Sequence, residues 1–87
     1  MKRMNIRLKF LVGCMALNTR MQIFLENEDG NVYAVSDEET LYNLNGKNGL
    51  EPVFFNYYVV GITYFIDHLN ILISEEGETL WKMYALK

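Results

Sequence analysis

Eighty-seven residues with a single cysteine, Cys14, and a single histidine, His68, allow one hydrophobic core and exclude an internal disulfide and a histidine-rich metal site. Hydrophobic side chains make up 51% of the chain, far above what a disordered tail carries. The net charge of −3 conceals a division: Lys2, Arg3, Arg7, Lys9 and Arg20 give residues 1–20 a charge of +5, and eleven acids against Lys47, Lys82 and Lys87 give the remainder −8. Such blocks serve either mutual pairing within the fold or separate surfaces for partners, and mutual pairing is the simpler use.

The first segment imitates a lipoprotein signal, with basic residues followed by Phe10-Leu11-Val12-Gly13-Cys14. Only Phe10 to Val12 separate Lys9 from Gly13-Cys14, too few for the apolar core of an export signal, so export is not expected. Ile6, Leu8, Phe10 and Val12 alternate with Arg7 and Lys9 as in a strand with one wet face. Met4, Leu8, Leu11, Val12 and Met15 also fit a helical stripe, so residues 4–16 stay open between the two, with the strand preferred.

Arg20 to Glu26 reads as a strand with Met21, Ile23 and Leu25 inward and Gln22, Phe24 and Glu26 outward. Asn27 to Asn31, with Asp29-Gly30 as turn signal, predicts a hairpin loop, and Val32 to Val35 the returning strand. Ser36 followed by Glu39 has the form of a capping box, which predicts a helix over Asp37 to Leu44 ended by Asn45-Gly46.

Val53 to Ile66 consists of Val, Ile, Thr, Phe and Tyr apart from Asn56 and Gly61. These types suit a pleated surface, and both alternating faces are apolar, which predicts a central strand over Tyr57 to Ile66. Pro52 suits the opening of a short helix from Val53 to Asn56, and Gly61 a bulge or bend. A membrane helix needs roughly 20 apolar residues, and Asp67, His68 and Asn70 stop this run, so no membrane span is expected. Asp67 to Asn70 should turn the chain, Ile71 to Ser74 form a strand, Glu75 to Glu78 a second acidic loop, and Thr79 to Leu86 a closing strand.

No chemistry-bearing constellation emerges. Asp67 and His68 are sequence neighbours on a turn, where side chains ordinarily point apart, and general acid–base work needs hydrogen-bond reach. Cys14 sits among apolar residues and reads as a small buried hydrophobe. Residues 25–36 fail the calcium-loop pattern at Leu25 and Ser36. No catalytic residue, cofactor or metal ligand is therefore assigned, and an enzyme is not expected.

The expected architecture is α+β: a mostly antiparallel sheet of five to six strands with one short helix packed on it, spanning residues 1–87 as a single domain. The expected function is that of a small non-enzymatic interaction protein, of the inhibitor, antitoxin or immunity type, phage-encoded examples included, which blocks another macromolecule through an acidic surface. That placement is an analogy from size and charge. Its partner is a protein with a basic surface, and the residues assigned to it are Phe24, Glu28, Asp29, Glu75, Glu76, Glu78 and Tyr84. Nucleic acid fits poorly with so acidic a chain, and the location expected is cytoplasmic. A sheet edge is available for a homodimer. The alternative is a small-molecule or nucleotide-binding domain with its pocket between helix and sheet or at a dimer seam.

Overall fold

Met21, Ile23 and Leu25 project from one face of β1 (Arg20–Glu26) and are buried, as their alternation predicts, and the rest of the fold assembles around them. The computed structural model describes residues 6–76. The chain runs through α1 (Leu8–Val12), β1, β2 (Val32–Ala34), β3 (Glu39–Thr40), α2 (Leu41–Leu44), a 3-10 turn over Pro52–Asn56, β4 (Tyr58–Phe65) and β5 (His68–Ser74). The fold is α+β, with a five-stranded, mostly antiparallel sheet and two short α-helices where one was expected.

The strand order is β2-β1-β5-β4, and β3 shares the β1 edge that β2 uses. The β1–β2 hairpin turns at Gly30, whose φ of 86° is a conformation that glycine adopts without steric cost. β1 and β5 are parallel, with Ile23 opposite Ile71 and Leu25 opposite Ile73. A parallel pair needs a long crossover, supplied here by everything from residue 27 to residue 67. β4 and β5 form the closing hairpin, and a bulge at Val60 shifts its register, as the glycine beside it foreshadowed.

The core lies on one face of the sheet. Leu8 and Val12 of α1, Leu41 and Leu44 of α2, and Leu50 pack there against Met21, Ile23, Leu25, Val59, Ile71 and Ile73. Phe24 and Leu72 pair across β1 and β5 on the opposite face.

Three sequence expectations change. The 4–16 stretch is a helix at Leu8–Val12, because Leu8 and Val12, one turn apart, both reach the core. Among the described residues its strand character is confined to Ile6 and Arg7, which pair with Tyr58 and Val59 at the edge of β4. The capping box does not form, because the Ser36 hydroxyl accepts from the Ile23 N–H and so completes the β1 ladder between β2 and β3. Thr40 caps in its place, accepting from Asn43 N–H, and the helix shrinks to one turn. Finally, β4 stands at the end of the described sheet and β5 takes the interior position that β4 was expected to hold.

Candidate functional site

Parallel pairing sets the positions of the acids. β1 and β5 run in the same direction, so both finish at the same end of the sheet, their last paired residues being Leu25 and Ile73. The chain beyond β1 carries Glu28 and Asp29, and the chain beyond β5 carries Glu75 and Glu76, all four exposed. Half-buried Glu26 is the last residue of β1, at the same end of the sheet. Neighbouring strands are about 4.8 Å apart, so two acidic stretches far apart in sequence leave the sheet side by side.

Both stretches are held by side chains. The Asn27 carboxamide oxygen accepts from Asp29 N–H and Asn31 N–H, each at 3.0 Å. The Ser74 hydroxyl oxygen accepts from Glu76 N–H at 3.1 Å. Such local bonds fix the backbone of a turn and therefore the direction of its acids. The first stretch was legible as a hairpin loop from Asp29-Gly30, whereas neither the Asn27 bonds nor that of Ser74 was foreseen. Arg7 also stands at this end, at the outer edge of β4, where its guanidinium donates to the Asn56 carbonyl and lies 4.8 Å from the centroid of the Tyr58 ring.

The remaining acids behave differently. Asp37, Glu38 and Glu39 lie near the start of β1, at the opposite end of the sheet. There Arg20 Nε donates to Glu38 at 2.8 Å, the described ion pair that joins the basic N-terminal block to the acidic remainder. The hydrogen bond to Glu38 and its charge raise the Arg20 pKa. His68 completes the group, with Nδ1 3.0 Å from Asp67 and 3.7 Å from Glu38, and Nε2 3.1 Å from the Asn70 carboxamide oxygen. Asp67 and His68 therefore meet, contrary to the expectation that they point apart. The turn itself is the reason: Ile66 takes a φ of 51°, so the chain reverses at Ile66–Asp67 and His68 already belongs to β5.

Glu38, Asp67 and His68 bring one ligand atom each within 4.8 Å of the others. Arg20 occupies Glu38 there, and a fixed guanidinium opposes a second cation, so the group is better described as an ion-pair knot. The hydrogen bond with His68 holds the Asp67 carboxyl below its ordinary range. A depressed carboxyl pKa stabilises the fold above the unfolded-state value of about 3.9 and loses that contribution as pH falls through the folded-state value. Asp67→Asn should therefore lower stability at about pH 5 and leave it unchanged near pH 2, as measured by urea unfolding at the two values. An equal loss at both would assign the effect to packing.

Of the other assigned residues, Phe24 is half-buried on the sheet face opposite the core, beside a shallow groove that it lines with Val32, Ile62 and Leu72. Glu78 and Tyr84, and the strand expected over Thr79 to Leu86, lie outside the described residues. Cys14 is exposed, not buried as its neighbours suggested. The concavity beside α2, bordered by Ser36, Asp37, Glu39, Leu44 and Gly49, is open and mixed in polarity. No described helix is long and apolar enough to cross a membrane. No protein-family model, curated protein or solved structure matches this chain.

Proposed function

We propose that this chain is a non-catalytic binding protein that covers a basic surface on another protein with the acidic end of its sheet. One observation carries the reading: the parallel β1–β5 register sends Glu28 and Asp29 out of the sheet beside Glu75 and Glu76. Grouping like charges costs self-repulsion, and a basic partner turns that cost into attraction and faster encounter. The hydrogen bonds that Asn27 and Ser74 accept support the same reading, since pre-set loops lose less freedom on docking. An acidic end of this kind repels the phosphates of nucleic acid, which favours a protein partner. Blocking that partner, as inhibitors, antitoxins and immunity proteins do, needs no reacting group on this chain.

The test compares affinity capture from native cells by the wild type and by a fourfold variant, Glu28→Lys, Asp29→Lys, Glu75→Lys and Glu76→Lys. All four positions are exposed, so the variant should fold as the wild type does. The expected result is a basic protein that the wild type retains at low salt, releases at high salt, and that the variant binds at least about 100-fold more weakly. Equal capture by both proteins would remove the proposal.

A further inference from the structure

β4 is apolar on both faces, yet its second half is bare. Ile62 is 44% exposed, Tyr64 71%, Phe65 56% and Ile66 80%, and Gly61–Phe65 meets no further strand on the side away from β5 among the described residues. Sheet edges are normally protected by charge, proline or a cover, and Gly61–Ile66 contains neither a charged residue nor a proline. We propose that this edge pairs with the same edge of a second copy, the two β4 strands running antiparallel about a two-fold axis at Thr63.

The backbone selects that centre. Near the start of β4 the outward-pointing groups belong to odd positions: the Tyr57 carbonyl accepts from Leu8 N–H and Val59 N–H donates to the Ile6 carbonyl. The bulge at Val60 shifts this alternation by one residue, so beyond it Ile62 and Tyr64 present their N–H and C=O groups outward. A two-fold axis at Thr63 sets Ile62 opposite the partner's Tyr64, and Tyr64 opposite the partner's Ile62. Both pairs then exchange both backbone hydrogen bonds, and each sets an aromatic against a β-branched side chain, a favourable cross-strand combination.

Register and charge point to a second copy. The four exposed side chains supply on the order of 500 Å² per copy, below the roughly 800 Å² per partner of a standard interface. An interface of that size, with four main-chain hydrogen bonds, belongs to the weak, reversible class. The two-fold operation also sends the acidic ends to opposite extremes of the joined sheet, so chains of net charge −3 associate without bringing like charges together. This association does not depend on the acidic end having a partner.

Sedimentation or light scattering across a micromolar concentration series should show conversion from one chain mass to two. The Ile62→Lys/Tyr64→Lys variant should remain monomeric with an unchanged circular dichroism spectrum. Across an antiparallel pair that is not hydrogen-bonded, Thr63 faces the partner's Thr63 at a Cα separation of about 4.5 Å, within disulfide reach. In a Cys14→Ser background, Thr63→Cys should therefore oxidise to a covalent dimer, and Asn48→Cys should not. Coverage of the edge by another part of the same chain predicts a monomer at every concentration. That result, or cross-linking of Thr63→Cys no faster than Asn48→Cys, would overturn the proposal.

Discussion

Replacing Ile71 by alanine should destabilise the protein by about 3–4 kcal/mol, within the range for isoleucine truncation in a packed core. Ile71 is fully buried on β5, paired with Ile23 across the parallel ladder and with Ile62 across the antiparallel one. Its side chain enters the layer where α1 and α2 cover the sheet, so its removal leaves a gap bounded on several sides that cannot close without shifting two strands. Domains of 87 residues commonly have about 4–13 kcal/mol in all, so the variant should lose a large part of its folded margin. Urea unfolding is the measurement, with the midpoint falling and the slope preserved. Leu17→Ala, at an exposed position, is the control and should stay within about 0.5 kcal/mol of wild type. A loss at Ile71 of less than about 1.5 kcal/mol would deny β5 its interior place.

Gly49→Ala should cost about 2–3 kcal/mol although the position is exposed. A methyl group there would collide with the Asn43 and Leu44 carbonyl oxygens, both backbone atoms that cannot swing aside. The collision lies where α2 ends, and Leu50 N–H donates to the Leu44 carbonyl at 2.9 Å just beyond it. Relieving it would pull Leu50 or Leu44 from the core, and each is almost fully buried. Gly46→Ala is the internal comparison, because its added carbon would stand 3.2 Å from the Asn43 carbonyl oxygen, a tight but adjustable contact. Thermal unfolding of the two variants should differ by several degrees, with Gly49→Ala the lower. Equal melting temperatures would show that the 45–50 loop rearranges freely.

What the sequence revealed follows from which interactions are local. β1 was legible because one face is buried and the other half-wet, so Met21, Ile23 and Leu25 alternate with Gln22, Phe24 and Glu26, which are only half-buried. Asp29-Gly30 and Pro52 were legible because turn and first-turn chemistry reside in the residues themselves. Ser36 misled because a hydroxyl that can cap a helix can equally complete a strand ladder, and the competing donor, Ile23 N–H, lies thirteen positions away. β4 misled for a related reason: apolar residues on both faces state that a strand needs cover, without stating that neighbouring strands provide it.

The candidate site divides along the same line. Glu28, Asp29, Glu75 and Glu76 were recognisable as acidic turns. Their convergence rests on the parallel β1–β5 pairing, a contact between strands more than forty residues apart that no periodicity encodes. Had the acidic turns left opposite ends of the sheet, no joint surface would exist. The knot of Arg20, Glu38, Asp67 and His68 was hidden in the same way, since its members come from three separate stretches of chain.

The register of β1 against β5 is therefore the point on which the account rests, and nuclear Overhauser spectroscopy reads it directly. Parallel pairing predicts interstrand contacts between amide and α protons linking Gln22–Phe24 with Asn70–Leu72, without close α–α contacts between these strands. Close α–α contacts between them would signify antiparallel pairing, which would send Glu75 and Glu76 to the end opposite Glu28 and Asp29 and contradict the proposed surface.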